Sequence, residues 1–178
     1  RNLLQAREAV EKALELRPGF YDYVRRRGEL DIYQGRWETR AGRSPEGLFQ
    51  NAGTLLKASI ASNDKNLETW RNLGERGQSR AEWRVRQGQS PAQDVAEGLG
   101  AVDRQLALNP KSPRAYVLRG SLLAVLARWE KDPARRADAA SRALDAYAKA
   151  LELNPSMKAE LAGDLPDLER LSAGGAGG

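Results

Sequence analysis

The stretch NPKSPRAYVLRGSLLAVLARW, residues 109–129, contains most of the signals that decide the fold of this 178-residue chain. An Asn-Pro turn precedes Ser112 and Pro113. A short oxygen-bearing side chain caps the free amides of a helix, and proline suits the first helical position. Apolar residues then step by 4, 3 and 4 positions, from Leu118 through Leu122 and Val125 to Trp129. This spacing forms one apolar face, so the stretch predicts a helix.

The same signals recur along the chain with a period of 46 residues. The in-register sets are Gly28, Gly74 and Gly120; Trp37, Trp83 and Trp129; and Arg17, Asn63 and Asn109. Ser44-Pro45 returns 46 residues later as Ser90-Pro91. Self-similarity at a fixed period of this length indicates stacked supersecondary units.

Each unit is predicted to contain two helices, and in the first two units a short Gly-containing loop joins them. The first helices are expected at Tyr21–Arg40, Leu67–Gln87 and Pro113–Lys131, and the second helices start at Pro45, Pro91 and Pro133. No strand pattern occurs, so the fold class is all-α. The predicted organisation is a partial unit at 1–18, units at 19–64, 65–110 and 111–155, a capping helix at 156–171, and a flexible Gly/Ala tail at 172–178.

Composition excludes several kinds of site. The chain has no Cys and no His, which rules out disulfides, thiolate or imidazole zinc sites and Ser–His or Cys–His catalysis. We therefore expect no cofactor and no metal. The net charge of +5 comes from mixed basic and acidic residues, whereas nucleic-acid binders concentrate basic residues on one face. No apolar run is long enough to span a membrane.

The pattern resembles the tetratricopeptide repeat (TPR) family. Gly28, Gly74 and Gly120 each lie ten residues after the turn position, as in that family, and small residues stand seven apart in the helix before a turn, as at Ala143 and Ala150. The phrase Ala-Leu-Glu-Leu-Asn-Pro is a typical TPR ending. The resemblance covers residue 3 to about residue 155. It implies an α-α superhelix, a TPR-like solenoid of about three to four two-helix repeats.

The unit departs from the family in length, because a TPR unit has about 34 residues. A period of 46 also falls in the HEAT and armadillo range, and that stacking stays an alternative. Long units with a late Trp resemble the C-terminal repeat regions of some bacterial serine/threonine protein kinases. No kinase motif occurs in the chain, so we expect this part of the protein to be non-catalytic. We also expect it to be cytoplasmic and to belong to a longer protein, with any kinase domain upstream.

The resemblance also implies a peptide-binding groove lined by first helices. The lining would be Asp22, Arg25, Glu29 and Ile32, then Glu68, Arg71, Glu75 and Gln78, then Arg114, Val117, Ser121 and Ala124. Among these, the expected partner-binding residues are Arg25, Glu29, Arg71, Glu75 and Arg114. The carboxylate clamp of chaperone-binding TPR domains is expected to be absent, because Asp22 and Leu118 replace two of its cations. A protein or peptide is the expected partner, with no nucleic acid and no membrane.

Other features have a structural and a functional interpretation. The tryptophans are expected to fill the core between lengthened helices rather than to anchor a ligand. Glycine is costly inside a helix, so Gly28, Gly74 and Gly120 are expected where the paired helix approaches closely. In the run 25–27, Arg25 and Arg26 are expected to pair with Asp22 and Glu29.

Two alternatives to a scaffold function stay open. One is an enzyme or small-ligand receptor on the same repeat framework, with acidic residues such as Glu75 and Glu82 as acid/base groups. The other is self-association as a homo-oligomer through the first unit, whose residues Leu3, Leu4 and Val10 would form an unpaired apolar face.

Overall fold

The computed structural model describes residues 2–174, and within them the chain is helical with no strand. This confirms the all-α prediction. The helices are α1 (Asn2–Leu16), α2 (Tyr21–Arg40), α3 (Glu46–Ser62), α4 (Leu67–Arg86), α5 (Ala92–Leu108), α6 (Pro113–Trp129), α7 (Pro133–Leu153), α8 (Lys158–Leu161) and α9 (Leu165–Ala173), with a 3-10 helix at Pro155–Met157. The predicted first helices are confirmed to within two residues at either end.

Helix starts follow from local capping. The Asn66 and Asp132 side chains accept hydrogen bonds from the amides of Thr69 and Arg135, each at 2.9 Å. Ser112 accepts from the Ala115 amide at 3.3 Å. Such a cap satisfies one amide that the first helical turn leaves unpaired. The predicted cap at Ser112 is therefore confirmed, and Asp132 caps the helix that begins at Pro133 in the same way.

The turns inside the first two units depend on glycine. Gly42 and Gly88 have φ angles of +73° and +69°, values that other residues adopt only with strain. Each glycine ends a first helix and reverses the chain into the second, as expected for a left-handed residue just beyond a helix.

Helices pack in chain order. Each first helix packs on the second helix that follows it, which gives the pairs α2–α3, α4–α5 and α6–α7. Consecutive pairs join through α3–α4 and α5–α6, and the first helices also meet directly, α2 with α4 and α4 with α6. The three first helices therefore lie side by side and share one face.

The C-terminal segment does not form the single capping helix predicted at 156–171. It contains the 3-10 helix, α8 and α9, with a turn at 162–164 between the last two. Gly163 lies in that turn, and glycine weakens a helix interior. The segment still covers the end of the array, because Leu161 and Leu168 are buried and α9 packs on α7. Of the predicted flexible tail, 172 and 173 belong to α9, and 175–178 lie outside the described residues.

The tryptophans do not occupy the core, so that expectation is wrong. Trp37 is 56% exposed and carries the Arg43 guanidinium 4.4 Å above its ring, whereas Trp83 and Trp129 are half-buried. The largest fully buried rings are instead Phe49 and Tyr147, both on second helices.

Glycines on the first helices make room for these rings. A Cβ on Gly35 would overlap the Phe49 ring, and one on Gly120 would overlap Tyr147. At Gly28 a Cβ would lie 3.3 Å from the Ala52 carbonyl oxygen of α3. Close approach of the paired helix is therefore confirmed at Gly28 and Gly120. At Gly74 the nearest atom, at 2.8 Å, belongs to Leu118 of α6, a neighbouring first helix.

The interior changes character along the chain. Around α5, α6 and α7 it consists of aliphatic and small side chains with Tyr147. Between α2, α3, α4 and α5 the apolar cluster is small, and buried charged residues lie beside it: Asp31, Arg76 and Asp94. None of the helices in residues 2–174 combines the length and apolar character needed to cross a membrane.

Candidate partner-binding face

The shared face of α2, α4 and α6, called the groove face below, carries a continuous series of ion pairs on its first two helices. Arg25 lies 2.8 Å from Asp22 and 3.0 Å from Glu29 within α2. Arg71 of α4 then reaches Glu29 at 3.8 Å and Glu75 at 3.7 Å. These pairs link α2 to α4 across the face.

Arg36 adds a further contact to this series of ion pairs between α2 and α4. Its Nη2 lies 3.5 Å from Glu75, and its Nε donates a hydrogen bond to Ser79 Oγ at 2.7 Å. Arg36 stands two turns beyond Gly28, in the part of α2 that the longer unit adds. The sequence prediction missed it because the groove positions came from the shorter family unit.

Arg25, one of the predicted partner-binding residues, is buried within ion pairs of its own helix. Only 5% of it is exposed, and its guanidinium is neutralised by Asp22 and Glu29. Arg26 also binds Asp22, at 2.9 Å, and Arg27 binds Asp31 at 3.0 Å. The predicted pairing of this basic run on its own helix is confirmed.

The pKa values around Asp22 follow this pairing. Partial burial works to raise the pKa of Asp22, but hydrogen bonds from Arg26 and Arg25 outweigh it and hold the pKa below its usual range. The hydrogen bond to Asp22 raises the pKa of Arg26 in turn. The carboxylate is therefore charged throughout the physiological range, and its ion pairs persist.

Two further predicted lining residues lie in the interior. Ile32 is buried beside Ala52, Leu56 and Leu73, and Ala124 is buried in the cluster around Tyr147. Both stand one turn beyond the residues that do reach the face, where the helices already close on their neighbours. Ile32 and Ala124 are therefore core residues, and the groove face is more polar than predicted.

Six predicted residues from two sequence units converge on one cavity of about 230 Å³. They are Arg71, Glu75, Gln78, Arg114, Val117 and Ser121. Four lining residues were missed by the sequence prediction: Arg36, Leu118, Met157 and Glu160. Met157 and Glu160 come from the C-terminal segment beyond the repeat, where the periodicity gives no signal.

One cation that lines the cavity is not paired with a carboxylate of the described residues. Arg36 and Arg71 share Glu75, whereas Arg114 is exposed and makes no ion pair with the residues that the structure describes. Val117, Leu118 and Met157 provide an apolar wall in the same cavity. The arrangement offers a carboxylate a charged partner next to a surface for an aliphatic side chain.

Arg71 contributes a second polar group. Its Nε is buried and lacks a hydrogen-bond partner among residues 2–174, although its Nη2 lies 2.5 Å from Glu68. A buried donor without a partner costs free energy. Asn72, by contrast, is fully buried and is not among the residues that line this cavity.

The acidic residues considered for catalysis are engaged in structural contacts. Glu75 is shared by two arginines, and Glu82 accepts a hydrogen bond from the Gln78 amide at 2.8 Å. Neither carboxylate is paired with a second one, as general acid/base catalysis with two carboxylates requires.

A comparison with models of known protein families and a search of curated proteins both found no match for this chain.

Proposed function

We propose that this chain is a non-catalytic protein-interaction scaffold of TPR type, in which the stacked helix pairs form a superhelix and the groove face binds a peptide or a helix of a partner protein. The observation that carries the proposal is the convergence of Arg71, Glu75, Arg114 and Val117 from two units on one cavity. Side-by-side first helices provide an extended surface of the kind that helical repeats use for binding.

The proposed ligand carries an acidic side chain next to an aliphatic one. The acidic group would bind Arg114, an exposed cation of the cavity that makes no ion pair with residues 2–174. The aliphatic side chain would lie against Val117, Leu118 and Met157. The paired charges of α2 and α4 would repel a ligand of one uniform sign and so contribute selectivity.

The proposal extends to the larger protein only through resemblance. The 46-residue unit with a late Trp supports a regulatory or sensor region of a bacterial serine/threonine protein kinase, acting in the cytoplasm. The groove would then recruit a substrate or regulator for the catalytic domain. This part of the proposal rests on fold-level analogy.

The test uses peptides selected from a random displayed library against the whole chain. Their affinity is then measured for the wild type and for Arg114→Glu. We expect selected peptides to combine Asp or Glu with an aliphatic neighbour, and Arg114→Glu to weaken binding at least about tenfold, since it replaces attraction by repulsion. Arg25 is not a suitable site for this test, because its reversal would break the pairs within α2.

Arg104→Glu is the matched control. Arg104 is also exposed, but it lies on α5 in a separate cleft with Ile60 and Trp70. Its reversal changes the net charge equally and should leave peptide affinity unchanged. Equal losses in the two variants would indicate nonspecific attraction, and unchanged binding by Arg114→Glu would show that the groove face is not the binding site.

A further inference from the structure

Glu160, an exposed residue of α8, is one of two carboxylates that line the cavity of about 230 Å³ on the groove face, called the groove cavity below. The other carboxylate, Glu75, is shared by Arg36 and Arg71. Glu160 makes no ion pair with any residue in the described part of the chain. The groove cavity therefore presents one unpaired carboxylate in addition to the unpaired cation Arg114.

Neighbouring residues hold the backbone at Glu160 in place. Met157 lines the same cavity and is 7% exposed, and Leu161 is buried in the apolar interior. Asp164, in the turn after α8, accepts a hydrogen bond from the Tyr147 hydroxyl at 3.0 Å. The segment is thus anchored on both sides of Glu160, and preorganisation of this kind lowers the entropy cost of binding.

The segment that carries Glu160 follows the same kind of turn as the one that precedes α6. Asn154-Pro155 repeats Asn109-Pro110, and α6 and α8 begin at the same distance after these turns. The turns also have the same geometry, because Asn109 accepts from the Lys111 amide and Asn154 from the Ser156 amide, each at 3.2 Å. α8 therefore starts where a further first helix would start, and it continues the groove face beyond α6.

The groove cavity has opposite charges that are not in contact. Arg114 and Glu160 both line it but do not pair with each other, and Val117, Leu118 and Met157 are apolar lining residues of the same cavity. Its volume of about 230 Å³ lies below the roughly 300–1,000 Å³ of small-molecule sites. The cavity therefore suits a few side chains of a peptide that lies across the groove face.

We propose, on the basis of the function proposed above, that Glu160 accepts a basic side chain of the bound peptide. The peptide would then combine an acidic residue for Arg114, an aliphatic residue for the apolar lining and a basic residue for Glu160. Glu160 would repel a purely acidic peptide, and Arg114 would repel a purely basic one. The two charges together would select the composition of the peptide and fix the direction in which it lies.

Parallel selections from a random displayed peptide library test the proposal, one on the whole wild-type chain and one on Glu160→Arg. We expect Lys or Arg to be enriched in the wild-type peptides and replaced by Asp or Glu in peptides selected by the variant. A wild-type peptide and a copy with its basic residue changed to Glu are then titrated against both proteins. Each protein should bind its matching peptide at least about tenfold more tightly than the other peptide.

Glu169→Arg is the matched control. Glu169 is also exposed, on α9 of the same C-terminal segment, but it does not line the groove cavity. Its reversal changes the net charge equally and should leave the affinity for the wild-type peptide unchanged. Both substituted residues are exposed, so the helices should stay intact, and far-UV circular dichroism verifies that the variants fold.

Arg114→Glu, measured with the same peptides, distinguishes failure of this proposal from failure of the proposed function. If Arg114→Glu weakens binding while Glu160→Arg does not, or if the wild-type peptides lack a basic residue, the groove face binds a peptide without the help of Glu160. If neither substitution weakens binding, the groove face is not the binding site and both proposals are wrong. Equal losses in Glu160→Arg and Glu169→Arg would overturn the specific contact, because they would indicate a general effect of net charge.

Discussion

At equivalent positions of the repeat, the second helix pair has charged side chains where the third has apolar ones. Arg76 on α4 stands 46 residues before Leu122 on α6, and Arg80 stands 46 residues before Leu126. Arg76 donates a hydrogen bond to the Phe49 carbonyl at 2.9 Å and pairs with Glu97. Leu122, at the same register, is fully buried in an apolar cluster.

A second set of buried charges lies further along α4. Asp94 of α5 has an exposed side-chain fraction of 1% and lies 2.8 Å from Arg80. Arg84 Nε is also 2.8 Å from the carboxylate, close enough for an ion pair though outside hydrogen-bonding geometry. Arg80 binds Glu46 of α3 as well, so one guanidinium joins three helices.

The two regions show two ways of joining helix pairs. Apolar packing around α6 and α7 is non-directional and stabilises in proportion to the surface removed from water. Buried ion pairs around α4 must offset the cost of desolvation and depend on geometry, so they fix the relative placement of helices more than they add stability. Loss of one partner from such a network is costly, because the remaining charges stay buried.

The largest effect is expected from Tyr147→Ala in the apolar region. Tyr147 is fully buried, its ring lies against Gly120, and its hydroxyl bonds Asp164 at 3.0 Å. Deletion of the ring should lower the free energy of unfolding by about 3–5 kcal/mol. Tyr147→Phe, which removes only the hydroxyl, should cost about 1 kcal/mol. Urea denaturation followed by circular dichroism measures both, and equal losses would contradict the central packing role of the ring.

Asp94→Ala tests the charged region and should have the next largest effect. It leaves Arg80 and Arg84 without their shared carboxylate, and we expect a loss of about 2–3 kcal/mol in the free energy of unfolding. The control is Asp103→Ala, which removes an ion pair with Arg119 whose aspartate side chain is 67% exposed. Exposed pairs contribute less than about 1 kcal/mol. Similar losses in the free energy of unfolding for the two variants would contradict the larger contribution expected from the buried ion pairs.

A smaller effect is expected from pH, in opposite directions for the two regions. Burial raises the pKa of Glu97, but a hydrogen bond from Lys57 and the nearby charge of Arg76 outweigh it and lower the pKa below 4.5. Glu46 behaves likewise, with Arg80 as its main partner. Because these pKa values are lowered by folding, the stability they contribute is present above pH 4.5 and is lost as pH falls through the folded values.

The apolar region should instead weaken in base. Burial, together with the charge of Asp164, raises the pKa of Tyr147 above its ordinary value of 10.0. Its contribution is therefore complete below pH 10.0 and is lost as pH rises above it. Urea midpoints measured against pH should fall less steeply in acid for Glu97→Gln and less steeply in base for Tyr147→Phe. Parallel curves for the wild type and both variants would contradict these assignments.

The sequence by itself determined the local features of this protein. The helix at Tyr21–Arg40, the caps at Ser112 and Asp132 and the close approach at Gly28 were all predictable. Capping, glycine and helical periodicity act over a few residues, and a repeat displays the same signal several times. The pairing of Arg25 within its own helix was predictable for the same reason.

Only the tertiary structure decided which side chains face one another between units. Trp37 is largely exposed, although its register matches that of the half-buried Trp83. Arg76 carries charge where the repeat elsewhere has leucine, and its partner Glu97 lies on another helix. Met157 completes the groove cavity from a segment beyond the last repeat. Such contacts join residues far apart in the chain, so no local pattern encodes them, and burial depends on what packs above each helix rather than on its own periodicity.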